Sequence, residues 1–354
     1  MLRLLVSGAL AAAAVSLSPA LAVGAEFKAT IVAGHPPIFP WVKLFTEVMI
    51  PETNKALEGT GHTIVWTEGY GGSIAAVGGE AAAIEDGLAQ IGTVSTVFAP
   101  AQFPLQNVSY VVPFGSADAA LVLSIVDDLH KTIPAMRKLW EDRNMEYVYS
   151  AVGVDDYVLM TKKPLASFAG LNGLKIGAPG PAVNWLKGTG AVGVSGNLTT
   201  YYNDLQTGVI DGAIVFATAA APAKLFEQAK YVTKARLGAQ YSGATIVNKE
   251  WFDSLPPEVK AAVTKGLQAY ASGYMANLQA RLDAAMKAME AGGAVISELP
   301  EAERAKWAAA LPNLPMEWAK DQDAKGLPGT DVLAAFLDGL RKAGTTLPRD
   351  WQAK

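Results

Sequence analysis

Aromatic and small polar residues recur directly after the segments that read as strands. In α/β proteins small molecules bind beyond the carboxyl ends of strands, in clefts that are mostly apolar and carry a few hydrogen-bonding groups. These residue types at these places predict non-covalent capture of a small molecule. The candidate ligand-binding residues are His35, Phe39, Trp41, Tyr70, Gly71, Gly72, Thr96, Phe98, Asp156, Tyr157, Pro179, Asn184, Trp185, Phe216 and Thr218.

Several of these candidates have a structural alternative. Tyr70 precedes two glycines, which let a ligand approach backbone amides, so a pocket position is favoured there. Trp41 and Trp185 lie near expected helix starts and are equally well explained as core residues. Asp156 is as well explained as a solvated carboxylate.

Enzyme signatures are weak in this chain. Residues 188–193 match G-x-G-x-x-G, but they follow a predicted helix around 184–186 and not a strand. A P-loop lysine motif and a G-x-S-x-G elbow are absent from the sequence. Asp155 and Asp156 are adjacent, so in a strand they face opposite sides and form a poor acid/base pair. We therefore predict that the chain is not an enzyme; the alternative, an exported hydrolase, needs His35 paired with Ser95 or Ser73.

Metal and cofactor chemistry is not indicated either. The three histidines, His35, His62 and His130, are widely spaced, and the chain has no cysteine. Neither a metal-ligand grouping nor a thiolate zinc site can be assembled from such a pattern. We expect no cofactor.

Bulk composition limits the class of protein. The chain has 354 residues, of which 51% are hydrophobic and 18% charged, so it can build a large core or two domains. The net charge is −4 and no basic run occurs, which argues against a nucleic-acid partner.

Residues 1–25 read as a signal peptide. Arg3 is followed by an apolar run over residues 4–17, and small residues allow cleavage after Ala22 or Ala25. The alternative, an uncleaved anchor, is disfavoured by the serines, glycine and proline of this segment. Without cysteine the chain cannot be a lipoprotein, so we expect a periplasmic protein that is exported across the inner membrane and diffuses freely.

The rest of the chain alternates strands with helices, which predicts an α/β fold with largely parallel sheets. A helix is expected over residues 74–88, and a new sheet begins near residue 147. We predict two lobes, with the chain crossing between them more than once. Lobe 1 comprises residues 26–150 plus about 236–275, and lobe 2 comprises residues 151–235 plus about 276–354. The expected strands are 27–32, 63–67, 90–94, 147–152, 157–161, 174–176, 213–216 and 241–247.

A long helix is expected late in the chain. Ser254 can cap it, and apolar residues then recur in steps of three and four as far as Met289, before Gly292 ends it. About 35 residues at about 1.5 Å each give roughly 50 Å, more than one lobe of ordinary size. The alternatives are packing on one core, the seam of a coiled-coil dimer, or a helix that spans both lobes.

Two runs resemble a known family. Residues 173–179 read Gly-Leu-Lys-Ile-Gly-Ala-Pro, and residues 205–212 read Leu-Gln-Thr-Gly-Val-Ile-Asp-Gly. They resemble the solute-binding proteins of TRAP transporters, of the DctP type, as do the runs 230–233, 247–249 and 252–256 in the same order. The resemblance covers nearly all of the mature chain.

The resemblance implies a type II-like periplasmic binding protein fold, with a long helix spanning two lobes that close on a ligand. It implies a receptor that delivers a small organic acid to large and small membrane permease subunits, driven by an ion gradient. The alternatives are a receptor of this fold for a sensor or another transporter, or for a ligand that is not a carboxylate. A monomer and a dimer are both compatible with the sequence.

Departures from the family concern the ligand. Gly177 stands where most members carry an arginine that clamps a carboxylate, and an arginine is also common near Asp156. Ala213, Ile214 and Val215 stand where a Gln-Glu-Asn triplet is frequent. We expect a ligand other than a C4-dicarboxylate held in the usual way, with an aromatic or hydrophobic monocarboxylate as a candidate. Backbone amides at residues 71–72 and tyrosine hydroxyls are the expected replacements for the clamp.

Overall fold

The computed structural model describes residues 24–276 and 278–352. The predicted signal sequence before residue 24 lies outside the described residues. Strands are β1 (Glu26–Ala33), β2 (Thr63–Tyr70), β3 (Ile91–Val94), β4 (Met145–Val154), β5 (Tyr157–Thr161), β6 (Lys175–Ala178), β7 (Val192–Ser195), β8 (Gly212–Phe216), β9 (Tyr231–Lys234), β10 (Gln240–Asn248) and β11 (Val295–Glu298). Helices are α1 (Pro40–Leu44), α2 (Ile50–Leu57), α3 (Glu80–Glu85), α4 (Ala119–Thr132), α5 (Pro134–Glu141), α6 (Tyr201–Thr207), α7 (Ala217–Ala220), α8 (Lys249–Ser254), α9 (Pro257–Met275), α10 (Leu278–Ala291), α11 (Glu301–Ala310), α12 (Leu314–Ala324) and α13 (Gly329–Lys342).

The strands form two sheets, each the centre of one lobe. The first sheet has the order β2-β1-β3-β10-β4, with β10 antiparallel to both of its neighbours. The second has the order β11-β9-β5-β8-β6-β7, with β5 antiparallel to β8 and β9. Helices pack on these sheets, so the predicted two-lobed α/β class is confirmed.

The chain passes between the sheets at three places in the described residues. β4 leads into β5, β9 leads into β10, and α9 leads into α10. Short strand-to-strand connections of this kind permit a hinge, because few residues need to change their backbone angles when the lobes move. The domain boundaries expected from the sequence describe which segments fold together, and they stay a prediction.

The long helix predicted over residues 257–291 is wrong as a single element. α9 ends at Met275, and Ala276 is extended at φ −59° and ψ 134°. α9 buries Val263, Leu267 and Tyr270 in the core of the first sheet, whereas α10 buries Met289 in the core of the second. One apolar stripe therefore serves two differently oriented cores, and the backbone bends between them.

A second correction concerns residues 74–88. The helix there is confined to α3, Glu80–Glu85, and the preceding residues form a loop. Gly78 adopts φ +90°, a left-handed angle that a regular helix cannot contain. The alanine-rich composition predicted a longer helix than the glycines allow.

The C-terminal helices pack on the first lobe more than on the second, to which residues 276–354 were assigned. α13 contacts α4, and α12 and α13 both contact the 3₁₀ segment Leu105–Val111. α11 lies against the second lobe, where the indole N–H of Trp307 donates to the Trp185 carbonyl at 2.6 Å. This region therefore spans the outer side of both lobes. Of the helices in the part of the chain described, none has the length and apolarity needed to cross a membrane.

Candidate functional site

A cavity lies between the two lobes, and both contribute to its wall. From the first lobe come His35, Trp41, Ser95, Phe98, Val152, Val154 and Ser242. From the second come Tyr157, Pro179, Asn197, Leu198, Tyr201, Ile214, Val215 and Phe216. Because parallel strands end at the same edge of their sheet, the loops after β1, β3, β6 and β7 converge here.

The cavity is small in the conformation described. Its volume is about 30 Å³, which is room for about two water molecules. A solute with six or more non-hydrogen atoms therefore needs the lobes to separate or the lining side chains to move. The structure shows the lobes closed on each other.

Aromatic rings form the wall from the first lobe. The imidazole of His35 meets the Trp41 indole edge-on, with ring centres 5.4 Å apart, and Phe39 stacks on that indole at 4.7 Å and also meets His35 edge-on at 5.7 Å. Phe39 is buried behind Trp41 and does not line the cavity, contrary to its predicted place. Trp41 also contacts Phe216 of the second lobe at 5.8 Å, so the aromatic wall continues across the interface.

The wall from the second lobe is built around Tyr201. An added Cβ at Gly177 would lie 3.1 Å from Cε1 of Tyr201 and 2.9 Å from Ile210, and one at Gly196 would lie 2.7 Å from the same Cε1. Two glycines thus make room for the Tyr201 ring. A side chain at position 177 and the ring in its present place are incompatible without movement.

Hydroxyl groups close one end of the cavity. The hydroxyls of Tyr110 and Tyr157 are 2.8 Å apart, and the Tyr110 hydroxyl donates to Ser242 at 3.3 Å. Trp185, a predicted ligand contact, lies behind this cluster, where its indole N–H donates to the Tyr110 carbonyl at 2.7 Å. Trp185 therefore ties the second lobe to the first and does not line the cavity.

The cavity wall carries no charged side chain within the described residues. Burial lowers the pKa of His35 to about 4, so its imidazole is neutral at physiological pH. Burial raises the pKa of Tyr157 and Tyr201 well above 10, so both hydroxyls keep their protons. A ligand in this cavity meets neutral hydrogen-bonding groups and apolar surface.

The structure brings six predicted residues to the wall: His35, Trp41, Phe98, Tyr157, Pro179 and Phe216. Their role in binding stays a prediction.

Three predicted residues lie behind the wall in polar contacts of the protein itself. The Thr96 hydroxyl donates to the Ser242 carbonyl at 3.4 Å. Thr218 donates to Asp155, and Asp156 accepts the backbone N–H of Gly238 at 2.7 Å. Burial raises the pKa of Asp156 to about 6, against the effect of that hydrogen bond. In this conformation these three residues do not line the cavity, and their role in binding stays a prediction.

The remaining predicted residues point elsewhere. Tyr70 lies at the end of β2 and accepts a hydrogen bond from Thr46 at 3.3 Å. Gly71 supports the loop of His35 by donating its N–H to the His35 carbonyl at 3.0 Å, and Gly72 follows in the same turn. Asn184 lines a separate cleft beside α12. Residues 71–72 do not line the cavity in this conformation, and the expectation that their amides face the ligand stays a prediction.

Sequence reasoning missed Tyr201, Asn197, Leu198 and Ser242, among others. Tyr201 is the first residue of α6, and nothing in its local pattern marks it as a wall residue. Gly177 was the signal in the sequence that could have indicated a wall residue such as Tyr201. A glycine on a buried strand leaves space that the side chain of another residue must fill.

This arrangement of side chains does not support a catalytic site. Nε2 of His35 has no hydrogen-bond partner among residues 24–276 and 278–352, so it is not paired with Ser95 as a base. Ser73, the other candidate nucleophile, does not line the cavity. Nor does the described chain contain a cluster of three or more acidic and histidine side chains able to hold a metal.

Sequence comparison decides the family. The profile of the family described as bacterial extracellular solute-binding protein, family 7 (DctP), matches residues 70–321. The chain belongs to this family. The resemblance seen in residues 173–179 and 205–212 is thereby confirmed, and the match includes both lobes.

A curated member of the DctP family shares a shorter segment. It is the C4-dicarboxylate-binding periplasmic protein DctP of Rhodobacter capsulatus, 36% identical over 110 residues. This segment is 30% of the present chain and spans about a third of the relative, 32% of its length.

Solved structures support the fold over most of the chain. DctP7 of Bordetella pertussis, a receptor binding pyroglutamic acid, has a TM-score of 0.74 at 20% identity and covers 89% of this chain and 99% of its own. A marine metagenome TRAP protein in complex with 3-hydroxybenzoate has a TM-score of 0.77 at 21% identity, with 90% and 98% covered. A Bordetella bronchiseptica protein with bound mandelate has a TM-score of 0.72 at 22% identity, with 89% and 99% covered. At such identities the likeness establishes the two-lobed fold alone.

Proposed function

We propose that the protein is the periplasmic receptor of a TRAP-type secondary transporter, and that it captures a small organic acid between its lobes. The observation that carries this is the interlobe cavity, whose wall of aromatic and neutral polar residues comes from both sheets. A ligand touching both walls stabilises the closed form more than the open one, which is how binding drives closure.

The ligand class follows from the lining. Trp41, Phe98 and Phe216 offer ring faces and edges to an apolar body, and neutral donors remain for one polar head. The related structures named for 3-hydroxybenzoate and mandelate carry ligands of this type. An acid with an aromatic or hydrophobic body is therefore our assignment.

A thermal-shift screen tests the assignment. The panel contains benzoate, 3-hydroxybenzoate, mandelate, pyroglutamate, glucuronate and succinate. At a ligand concentration of a hundred times the Kd, binding adds about 2.7 kcal/mol to the free energy of unfolding, which raises the melting temperature measurably. Unchanged melting with every acid would refute the ligand class.

Small-angle scattering tests closure. The cavity of about 30 Å³ is too small for these acids in the conformation described, and we propose that separation of the lobes, not side-chain movement alone, admits them. We expect the radius of gyration to fall when a stabilising acid is added. An unchanged value with a bound acid would mean that side-chain movement alone admits the ligand.

An uncharged ligand is the second candidate, because the cavity wall has no charged group in the described part of the chain. Benzamide and benzyl alcohol, which share the ring of benzoate but carry no charge, distinguish an uncharged ligand from an acid. Stabilisation by these compounds and not by benzoate would favour the uncharged class.

Delivery and export have their own tests. Genes for a large and a small permease subunit beside the gene for this protein would support the transporter assignment over a sensor. N-terminal sequencing of the exported protein should find a start at Val23 or Glu26, after cleavage of the signal peptide.

A further inference from the structure

Three cavity residues hold polar atoms that lack hydrogen-bond partners within the described residues. They are Nε2 of His35, Nε1 of Trp41 and the hydroxyl of Tyr201, all of them buried. Buried polar atoms are nearly always paired in folded proteins, so an unpaired group that faces a cavity calls for an explanation. Three of them around one cavity indicate a ligand group that completes their hydrogen bonding.

The three groups approach from opposite lobes and are held in place. His35 and Trp41 follow β1 and meet edge-to-face at 5.4 Å. Tyr201 begins α6 in the second lobe, where its ring lies against Gly177 and Gly196. A ligand head that contacts all three bridges the lobes.

Their chemistry is that of neutral donors. The indole N–H can only donate, the phenol keeps its proton, and the neutral imidazole can donate from Nε2. An acceptor-rich head such as a carboxylate matches this set, because its oxygens accept several hydrogen bonds and donate none.

We propose that Tyr201, Trp41 and His35 form an uncharged carboxylate-binding site, in which Tyr201 occupies the space that a side chain at position 177 would need. This inference rests on the proposed receptor function. It adds that the ligand carries a single carboxylate, because no charged side chain of the described residues lines the cavity to compensate a second buried charge.

Isothermal titration calorimetry with benzoate and isophthalate tests the site, because the two acids share a ring and differ by one carboxylate. We expect isophthalate to bind at least about tenfold more weakly than benzoate. Tyr201→Phe removes only the hydroxyl and should weaken benzoate binding about 10- to 100-fold, the loss expected for a hydrogen bond to a charged group. Its melting temperature without ligand should be unchanged or higher, because the lost hydroxyl was buried and unpaired.

Tyr241→Phe is the matched control. The Tyr241 hydroxyl is also buried and has no hydrogen-bond partner among the described residues, but Tyr241 is not part of the cavity wall. We expect its benzoate affinity to stay within about threefold of the wild type, well under one factor of ten. Trp41→Phe, which keeps an aromatic ring against Phe39, provides an independent variant if Tyr201→Phe folds poorly, and it should also weaken binding about tenfold or more.

The outcomes separate the inference from the function on which it rests. Equal affinity for the two acids, or equal losses in Tyr201→Phe and Tyr241→Phe, overturns the neutral carboxylate site and leaves the receptor function standing. A wild-type protein that binds none of the organic acids overturns both.

Discussion

Gly180 of the second lobe lies directly against the carbonyl group of Val97 in the first. An added Cβ at Gly180 would overlap the Val97 oxygen and lie 3.0 Å from the carbonyl carbon. The closed arrangement therefore requires a residue without a side chain at this position. Gly180 also adopts φ +45°, where other residues are strained.

Gly180→Ala should hold the lobes apart. The overlap is with backbone, which cannot rotate away, so the closed form loses stability relative to the open form. We expect affinity for a bound acid to fall about tenfold or more, as measured by calorimetry. Small-angle scattering should show a larger radius of gyration in the presence of ligand.

Gly173→Ala is the control for this prediction. Gly173 has φ +80° and nothing within 4 Å of an added Cβ, so the variant has backbone strain without the collision. Both variants should lose stability, and only Gly180→Ala should lose affinity. Equal losses of affinity would show that strain, and not blocked closure, is responsible.

Introducing an arginine at position 177 should be destabilising. Its Cβ would meet Ile210 at 2.9 Å and the Tyr201 ring at 3.1 Å, and overpacking of this kind costs about 1–3 kcal/mol. Removing the ring in Gly177→Arg/Tyr201→Ala should recover part of the loss. A double-mutant cycle in urea measures this coupling, which we expect to reach about 1 kcal/mol; purely additive effects would contradict the steric conflict.

The fold could be predicted because its strands carry strong local signals. The fifth strand, Tyr157–Thr161, is found where the pattern places it, and the seven other predicted strands differ by a few residues at their ends. Three short strands, Val192–Ser195, Tyr231–Lys234 and Val295–Glu298, were not predicted. The break at Ala276 could not be predicted, because no proline marks it, the nearby Gly273 lies within α9, and the apolar stripe runs through it. It depends on the relative orientation of two cores, which is a tertiary property.

The site was harder to predict for a related reason. Strand ends indicate the edge of a sheet where a cavity forms, and Trp41, Phe98 and Phe216 were found in this way. Which side chain of a loop points inward depends on packing from the other lobe. Tyr201 shows this, because its place depends on the absence of a side chain at Gly177.

Glu80 should make stability depend on pH. It is buried, and its carboxyl oxygens accept the backbone N–H groups of Gly34 at 3.2 Å and Gly78 at 2.7 Å, which braces the loop of His35. Burial raises its pKa from 4.5 to about 7, in spite of these hydrogen bonds. Because the folded-state pKa exceeds the unfolded one, the contribution to stability is full below pH 4.5 and is lost as the pH rises through 7.

Glu80→Gln, which cannot titrate, measures this effect. The free energy of unfolding of the wild type, relative to the variant, should fall by about 3 kcal/mol between pH 4.5 and pH 8. His35 and His130 are present in both proteins, so their own titration cancels in the difference. Urea unfolding curves at each pH give the two values, and a constant difference would mean that Glu80 is not protonated preferentially in the folded protein.

Arg281 should control the connection between the lobes. Its guanidinium donates to the carbonyl of Ala276 at 2.9 Å and to that of Tyr274, and it lies 5.3 Å from the centre of the Tyr274 ring. Tyr274 in turn donates its hydroxyl to the Gly153 carbonyl near the end of β4. One side chain of α10 therefore satisfies the C-terminal carbonyls of α9, beside another crossing of the chain.

Arg281→Ala leaves those carbonyls without their donor, so we expect it to lower the free energy of unfolding by about 1–3 kcal/mol. Amide hydrogen exchange should increase at residues 273–281, because the end of α9 opens more often. Lys287→Ala removes an exposed cation from the same helix and should change stability by less than about 0.5 kcal/mol. If the two variants exchange alike in this segment, the bend is held by the packing of Tyr270 and Met289 in their separate cores, and Arg281 does not restrain it.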